Sequence, residues 1–239
     1  MKTLVLVVTF NEVYNIRRLV PAIRQHLPDA TLLVVDDNSP DGTSDVVRAF
    51  ADDDANIRLI TRIGERGYSS ATIAGMQHGL EEGFEIIVTL DADFSHDPAD
   101  LPRLVAALEE ADVVIGSRYV GGIRVLNWDV RRLLLSLGAN AYIRRLTGLQ
   151  CTDCTSGFRA YRAAVLDGPA LGRIRTSGYA FLPELLFSLR DVRVAEVPIC
   201  FTERREGHSK MSGTVIAEAV VRPWALLARR VLRSLGASR

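Results

Sequence analysis

Short apolar segments alternate with stretches of helical periodicity through the first half of the chain, and this alternation limits the folds open to it. Each apolar segment has the length and β-branched content of a buried strand, and each following stretch repeats apolar residues three or four positions apart. Strands that alternate with helices at this spacing form a doubly wound, mostly parallel sheet in an α/β domain. We predict strands over 4–8, 31–35, 57–61, 86–90 and 112–115, with helices over 15–26, 44–51, 70–82 and 98–110.

The second half of the chain departs from this rhythm after Gly121. We predict a basic, apolar helix over 128–146, a short strand within 153–162, a helix over 181–189 and a last strand over 192–201. The final helix, 214–235, contains Pro223, which we expect to interrupt it because proline lacks the amide hydrogen that a helix uses. The organisation predicted is one domain over 1–213 and a basic, amphipathic C-terminal helix over 214–239.

Composition narrows the partners and the compartment. The 29 basic and 29 acidic residues balance, so the charge gives no reason to expect nucleic acid. No secretory signal is visible, and no apolar run approaches the roughly 18 residues of a membrane span, so a cytoplasmic location is expected. The Cys151–Cys154 motif lacks the second pair of ligands that a zinc site needs, and we interpret its thiols as incidental.

Carboxylates follow three of the predicted strands. Asp91 and Asp93 end the strand at 86–90, Asp36 and Asp37 end the second strand, and Glu12 follows the first. Ligands of open α/β sheets bind at these carboxyl ends. Two carboxylates so close together repel each other unless a cation compensates, so Asp91 and Asp93 are candidate ligands for Mg²⁺ or Mn²⁺, shared with substrate phosphates. The alternative is an aspartate that caps a helix beside a solvated one.

A bound nucleotide fits the remaining acids. Asp36 and Asp37 stand where nucleotide-binding α/β folds place an acid on a ribose hydroxyl. The first turn, Thr9–Glu12, lacks the glycine fingerprint of dinucleotide folds, and no Gly-Lys-Ser/Thr loop follows a strand. What remains is a nucleotide held through its ribose and base, with its diphosphate bridged by a metal at Asp91 and Asp93. This is a nucleotide-sugar site.

Eight ordered motifs carry a resemblance to a known family, and they span nearly the whole chain. The first three resemble inverting glycosyltransferases with the A-type fold. With the other five, the chain resembles the polyprenol- and dolichol-phosphate mannose synthases, especially the soluble catalytic domains of actinomycete type. The motifs are Val8–Glu12, Val34–Thr43, Asp91–His96, Gly116–Tyr119, Asn127–Ser136, Asp153–Arg159, Gly178–Phe181 and Thr202–Ser212.

The resemblance implies transfer of mannose from GDP-mannose to a polyprenyl phosphate, with inversion, by a catalytic domain over 1–213. A lipid acceptor leads us to expect a peripheral enzyme at the cytoplasmic face of a membrane. The apolar residues, arginines and Trp224 of the helix 214–239 suit a lipid headgroup interface. The alternative is a C-terminal helix packed on the sheet, and a separate membrane protein would then be needed for attachment. Nucleotide-sugar contacts are implied at Val8, Phe10, Glu12, Val35, Asp37, Asp91, Ala92, Asp93, Arg204 and Lys210. Metal ligation is implied at Asp91 and Asp93, acceptor-phosphate contact at Arg118, Arg132 and Ser136, and catalysis at Asp93, Arg118, Arg132, Arg204 and Lys210.

Two alternatives stay open. One is a transferase that moves glucose or another hexose to the same carrier or to a different acceptor. The other is a nucleotide-binding scaffold that kept the pocket without turnover.

The sequence departs from the family pattern in its donor half. Val8 stands where proline is usual, Phe10 where tyrosine is usual, and Ser95 where some relatives have glutamine. The usual Lys-x-Gly-Leu-Gly loop is here Glu65-Arg66-Gly67-Tyr68-Ser69, and Arg62 or Arg66 is the candidate for the missing cation. These departures leave the reaction class in place and the donor and lipid preference open.

Four further residues have two interpretations each. Asp153 and Glu184 either orient basic residues or the sugar, or form structural ion pairs. His96 either binds the metal or supports the turn beside it. Trp128 either packs inside the protein or anchors it in lipid.

Overall fold

In the part of the chain that the structure describes, nine strands form one large sheet and one small one. A computed structural model describes residues 1–166, 171, 172, 174, 176, 178, 180–189, 192–203 and 213–236, with the side chains of the last helix described over 220–231. The strands are β1 (Thr3–Thr9), β2 (Thr31–Asp36), β3 (Ile57–Thr61), β4 (Ile86–Asp91), β5 (Val113–Ser117), β6 (Val125–Leu126), β7 (Arg159–Arg162), β8 (Val194–Pro198) and β9 (Phe201–Thr202).

The large sheet has seven strands in the order β3-β2-β1-β4-β7-β5-β8. Strand β7 runs antiparallel to both of its neighbours, β4 and β5, and the other neighbouring pairs are parallel. Strands β6 and β9 form a separate parallel pair. The prediction of a mostly parallel α/β sheet is therefore confirmed.

Helices cover both faces of this sheet. One buried cluster takes residues from α1, α2 and α4, and the cluster on the opposite face takes residues from α3, α5 and α6. The last helix, α7, packs on α5. The helices are α1 (Val13–His26), α2 (Thr43–Asp53), α3 (Tyr68–Glu81), α4 (Leu101–Ala107), α5 (Val130–Thr147), α6 (Phe181–Ser188) and α7 (Gly213–Gly236).

The sheet core follows from the alternation of side chains along each strand. Leu4 and Leu6 of β1 point into one buried cluster, and Val5 and Val7 point into the other. Helix α3 lies so close to β1 that a Cβ atom at Gly75 would be 2.3 Å from Cδ1 of Leu6. A glycine at this position permits the close approach of the helix to the sheet.

Two predicted boundaries differ from the structure for local reasons. The strand predicted over 192–201 is two strands, β8 and β9, which belong to different sheets. The helix predicted from 128 begins at Val130 because Asp129 caps it: the Asp129 carboxylate accepts a hydrogen bond from the amide of Arg132 (2.9 Å).

The prediction that Pro223 interrupts the last helix is wrong, since α7 runs through it. Proline cannot supply an amide to the preceding turn, which leaves carbonyl oxygens in need of donors. The hydroxyl of Tyr142, on α5, donates to the carbonyl of Val220 (2.7 Å). The carbonyl that loses its amide partner is that of Ala219, so the Tyr142 bond does not replace the missing one, but it holds α7 on α5 just before the proline.

The strand register brings the predicted site residues to one edge. Val8 of β1 lies opposite Val35 of β2 on one side and Asp91 of β4 on the other. The turns that follow β1, β2 and β4 therefore start side by side, at the carboxyl ends of parallel strands.

Candidate active site

The acidic turn after β2 contains one carboxylate that is purely structural. Asp36 is fully buried and accepts hydrogen bonds from the hydroxyls of Thr9 (2.7 Å), Ser39 (2.6 Å) and Ser44 (2.8 Å). These bonds fix the turn between β2 and α2. They leave Asp37 as the acid of this pair that faces the loop before α3.

Asp37 ties β2 to that loop. The Nε of Arg62 donates to Asp37 Oδ1 (2.7 Å), and the amide of Gly67 donates to Oδ2 (2.8 Å). Arg62 is thus held by its carboxylate partner. Arg66 instead places its guanidinium 4.4 Å from the ring centroid of Phe10, a predicted nucleotide contact. Each of the two candidate cations thus contacts a predicted nucleotide residue, Arg62 through its ion pair with Asp37 and Arg66 through the ring of Phe10.

Some of the other predicted nucleotide residues lie at the carboxyl ends of the strands, and others have side chains buried in the hydrophobic core. The carboxylate of Glu12 accepts a hydrogen bond from Asn15 (2.8 Å) at the start of α1. The side chains of Val35 and Ala92 are buried. Val8 is half-buried at the end of β1, next to Asp91. The structure therefore brings Val8, Glu12 and Asp91 to one edge and uses the side chain of Val35 for packing.

The turn after β4 holds the two aspartates by its own backbone. Oδ1 of Asp93 accepts a hydrogen bond from the amide of Ser95 (3.1 Å). The amide of Asp91 donates to Nδ1 of His96 (3.2 Å). Phe94, which follows Asp93, has a backbone φ of 59°, a left-handed conformation that costs energy in a bulky residue. The turn therefore contains a strained residue directly after Asp93.

His96 supports this turn from inside the core. Burial lowers its pKa to about 4, against the opposing effect of Asp93, so the imidazole is neutral near pH 7. Its ring packs against Phe158 and Phe201, at centroid distances of 5.1 and 5.5 Å. A neutral Nδ1 that accepts from a backbone amide forms no ion pair with Asp91, although Oδ2 lies 3.8 Å away. The supporting interpretation of His96 is the one that this geometry favours.

The two aspartates fit a hard divalent cation. Both side chains are partly exposed, and the hydroxyl of Ser95 beside them is buried with no hydrogen-bond partner in the described part of the chain. Among the described residues, no group of three or more His, Cys, Asp or Glu side chains forms a protein-only metal site. Mg²⁺ and Mn²⁺ are commonly held by one or two carboxylates plus substrate phosphates, and this donor set matches that pattern.

Arg118 and Asp153 form a buried, two-pronged ion pair. Nε and Nη2 of Arg118 each donate to a different Asp153 oxygen at 2.7 Å, and Nη2 also donates to the hydroxyl of Thr155 (2.7 Å). Burial alone would raise the pKa of Asp153 and lower that of Arg118. Their hydrogen bonds and opposite charges outweigh burial, so the pKa of Asp153 is lowered and that of Arg118 is raised.

Aromatic rings connect Arg118 to the predicted acceptor residues of α5. The guanidinium of Arg118 lies 5.5 Å from the Trp128 ring, and that of Arg132 lies 4.4 Å from the same ring. Arg132 also pairs with Glu203, and Ser136 accepts a hydrogen bond from the hydroxyl of Tyr119 (2.6 Å). The structure thus groups Arg118, Arg132 and Ser136 around one aromatic cluster, which consists of Tyr119, Trp128 and Phe201. The predicted Arg204 and Lys210 lie outside the described residues.

Glu184 is a structural ion-pair residue. It is fully buried on α6 and accepts hydrogen bonds from Nε and Nη2 of Arg222, with Arg229 at 3.6 Å. Both arginines belong to α7, so this carboxylate fastens the last helix to the core. Trp128 packs inside the aromatic cluster, against Phe201 (5.4 Å).

Sequence reasoning missed several supporting residues. Glu196 of β8 accepts hydrogen bonds from the amides of Thr152 (2.7 Å) and Asp153 (3.0 Å), and so holds the loop that carries Asp153. The Sγ atoms of Cys151 and Cys154 lie 3.3 Å apart, buried under the same loop. A lone glutamate in a strand gives no sequence signal of such a role.

Comparison with protein families settles the class. The model of the family described as glycosyl transferase family 2 matches residues 4–168. The chain belongs to glycosyl transferase family 2. As a glycosyltransferase, it is an enzyme of the predicted class, and the predicted resemblance is confirmed.

Related proteins place this glycosyltransferase more finely within the family. It is 42% identical to undecaprenyl-phosphate mannosyltransferase of Micrococcus luteus, over 96% of each chain. It is 43% identical to polyprenol monophosphomannose synthase of Mycolicibacterium smegmatis, over 95% of this chain and 88% of the relative. It is 36% identical to dolichol-phosphate mannosyltransferase of Saccharomyces cerevisiae, over 90% of this chain and 82% of the relative.

A solved structure confirms the predicted A-type fold. Glucosyl-3-phosphoglycerate synthase from Mycobacterium tuberculosis, in complex with Mn²⁺, UDP-glucose and phosphoglyceric acid, matches with a TM-score of 0.68. The match covers 95% of this chain and 80% of that one, at 18% identity.

Proposed function

We propose that this glycosyltransferase moves mannose from GDP-mannose onto a polyprenyl phosphate, with inversion at the sugar. The observation that carries the proposal is the 42–43% identity to two polyprenyl-phosphate mannosyltransferases over 95–96% of the chain. That similarity includes the segments that bear Asp91, Asp93, Arg118 and Arg132. The presence of two carboxylates for a cation and two arginines for a phosphate favours a transferase over the scaffold alternative.

Mg²⁺ or Mn²⁺ is the proposed cofactor, with Asp91 and Asp93 as its protein ligands. The solved relative that was crystallised with Mn²⁺, and another complex of it with Mg²⁺, support a divalent ion in this fold. A bound ion would neutralise charge on the departing diphosphate.

The arginines complete the proposed chemistry. The second pKa of a phosphate monoester is about 6, so the acceptor phosphate is largely deprotonated at neutral pH and needs no strong general base. The acceptor phosphate must instead be held close to a second anion, the donor diphosphate, and cationic groups are needed to offset the repulsion between the two. Arg118 and Arg132, held around one aromatic cluster, are the proposed groups that bind and orient the acceptor phosphate, with Ser136 one helical turn after Arg132.

A donor panel tests the proposed function. The protein is mixed with Mg²⁺, undecaprenyl phosphate in detergent, and GDP-mannose, GDP-glucose or UDP-glucose in turn. Mass spectrometry should then detect mannosyl phospholipid from GDP-mannose at a rate well above that of the other products. Transfer from UDP-glucose alone would support the glucosyltransferase alternative. Tight GDP binding without any product would support the scaffold.

A membrane-binding surface is also proposed, on β6, α5 and α7. Within the described residues, no helix combines the length and apolarity needed to cross a bilayer. Large apolar side chains are nevertheless exposed on these elements, where basic residues are interspersed: Leu126, Val130, Leu134, Leu135, Val220, Val221, Trp224 and Val231. We call these eight residues the apolar face. Leu226 on α7 is buried, so α7 both packs on the protein and exposes part of the apolar face.

The two leucines of α5 give a sharp test of this surface. Leu134 and Leu135 are 62% and 75% exposed, so their replacement by aspartate does not open the core. Burial of a leucine contributes about 1.5–3 kcal/mol, so Leu134→Asp with Leu135→Asp should weaken sedimentation with anionic vesicles by more than tenfold. Wild-type binding should also fall with salt, because arginines near anionic lipid contribute about 1 kcal/mol each.

Ile63→Asp is the matched control, because Ile63 is 81% exposed on the loop between β3 and α3, which carries no residue of the apolar face. It should sediment like the wild type. The proposed surface would be contradicted if vesicle binding of the wild type did not change with salt and the double leucine variant bound as well as the wild type. Attachment would then require a separate membrane protein.

A further inference from the structure

Tyr68, the first residue of α3, and Asp91, the last residue of β4, both come close to Gly157 in the folded chain. The two side chains meet in the space left by Gly157, in the loop before β7. A Cβ atom at Gly157 would lie 2.8 Å from the Tyr68 hydroxyl oxygen, 3.3 Å from Asp91 Oδ1 and 3.8 Å from Oδ2. The hydroxyl and the carboxylate therefore both border a space that only glycine leaves open, and Oδ1 is the carboxylate oxygen nearer to Gly157.

The phenol ring of Tyr68 is fixed in this position. It packs edge-on against the buried ring of Phe181, with centroids 6.3 Å apart and planes at 77°. The preceding residue, Gly67, has φ of 145° and its amide is bound by Asp37 (2.8 Å). The loop and the core thus hold the hydroxyl at the active-site edge, where a leucine of the usual family loop would place no polar group.

His96, which also lies near the Asp91 carboxylate, donates no hydrogen bond to it. Nδ1 of His96 is 3.8 Å from Oδ2, and it already accepts a hydrogen bond from the Asp91 amide (3.2 Å). A nitrogen that accepts this bond carries no hydrogen to donate to the carboxylate. The tyrosine hydroxyl, in contrast, is a donor at neutral pH.

We propose that Tyr68 is a positioning residue: when the divalent cation binds, the Tyr68 hydroxyl donates to the neighbouring Asp91 carboxylate and holds it in the orientation that binds the cation. The proposal rests on the metal assignment of the proposed function. Groups that orient metal ligands by hydrogen bonds typically change metal affinity 10–100-fold when they are removed. Tyr68→Phe removes the hydroxyl and keeps the ring that packs on Phe181.

Direct metal binding tests this role without any measurement of turnover. Mn²⁺ is titrated into the protein in the presence of GDP and followed by electron paramagnetic resonance. Tyr68→Phe should raise the half-saturating Mn²⁺ concentration at least tenfold. The matched control is Tyr142→Phe, which loses a hydroxyl bonded to Val220 and should bind Mn²⁺ like the wild type. Equal Mn²⁺ affinity in Tyr68→Phe and wild type would overturn the proposal and leave the proposed function intact. Absence of Mn²⁺ binding by the wild type would overturn both.

Gly157 supplies a second and independent test. Gly157→Ala places a methyl group against the tyrosine hydroxyl, so it should weaken Mn²⁺ binding in the wild-type background. In the Tyr68→Phe background the oxygen is gone, so the same replacement should cause a smaller loss. Equal losses in both backgrounds would show that the methyl group acts on Asp91 alone and would overturn the role of the hydroxyl. Circular dichroism of each variant confirms that folded proteins are compared.

Discussion

Asp93→Asn is expected to reduce transfer by at least a hundredfold while the protein stays folded. Asparagine keeps the size of the side chain and an oxygen that can accept from the Ser95 amide (3.1 Å in the wild type). It removes the negative charge that a divalent cation requires. Loss of one group that stabilises charge in a transition state costs roughly 10²–10³ in rate. Steady-state transfer with Mg²⁺, beside thermal unfolding, measures both parts of the expectation.

Asp112→Asn is the control for this replacement. Asp112 pairs with Arg193 (2.9 Å) just before β5, at the opposite edge of the sheet from Asp93. Its loss removes an exposed ion pair of little energetic weight and should leave transfer near the wild-type rate. Unimpaired transfer by Asp93→Asn, or full activity of the wild type in excess chelator, contradicts the metal assignment.

Asp153→Asn is expected to cause the largest loss of stability among single site replacements. Asp153 is fully buried, and its two carboxylate oxygens bind the Arg118 guanidinium. Neutralising it leaves a buried guanidinium without its counter-charge. Breaking a buried pair in this way costs about 3–5 kcal/mol of unfolding free energy. Urea unfolding measures this change, and a loss of transfer should accompany it because Arg118 loses its fixed orientation.

The effect of Asp153→Asn should depend on pH with a definite sign. The pKa of Asp153 is lowered in the folded protein, so its stabilising contribution is complete above the unfolded pKa of about 3.9. That contribution is lost as the pH falls through the folded pKa. The difference between wild type and variant should be constant from about pH 5 to 8 and should shrink below about pH 4.

An exposed pair separates this effect from a general loss of charge. Asp45→Asn breaks the pair with Arg48 on α2, where the Asp45 side chain is 80% exposed. It should leave the free energy of unfolding nearly unchanged. A change of similar size in both variants would mean that the Arg118–Asp153 pair has no special weight.

The periodicity of the sequence predicted the parallel half of the fold well. Asp37 and Asp91 lie at the ends of β2 and β4. Both strands are short, apolar and β-branched, and a clear helical stretch follows each of them. Local pattern is sufficient there because each strand packs beside a neighbour through a short crossover. The acidic edge followed from the same rule, since parallel strands bring their carboxyl ends together.

Contacts between distant residues account for what the sequence did not predict. Nothing local distinguishes Asp36, which is buried under hydroxyls, from Asp37, which faces a loop arginine. The meeting of Tyr68 with Gly157 depends on two loops that come together only in the folded protein. Pro223 predicted a break in α7 because periodicity and propensity cannot include the packing of α5. The roles of Arg204 and Lys210 stay predictions.

The antiparallel strand β7 has a consequence for the order in which the protein is made. In the sheet it lies between β4 and β5 and pairs with both, although it follows both of them in the chain. Until residues 159–162 leave the ribosome, β4 has one unpaired edge, and β5 has neither of its neighbours because β8 follows β7 in the chain. Domains assembled from such late, non-local pairings fold slowly and pass through states that aggregate. The nascent N-terminal half therefore exposes the edge of β4 and an unpaired β5, and chaperones that cover exposed strand edges should engage it during that interval of translation.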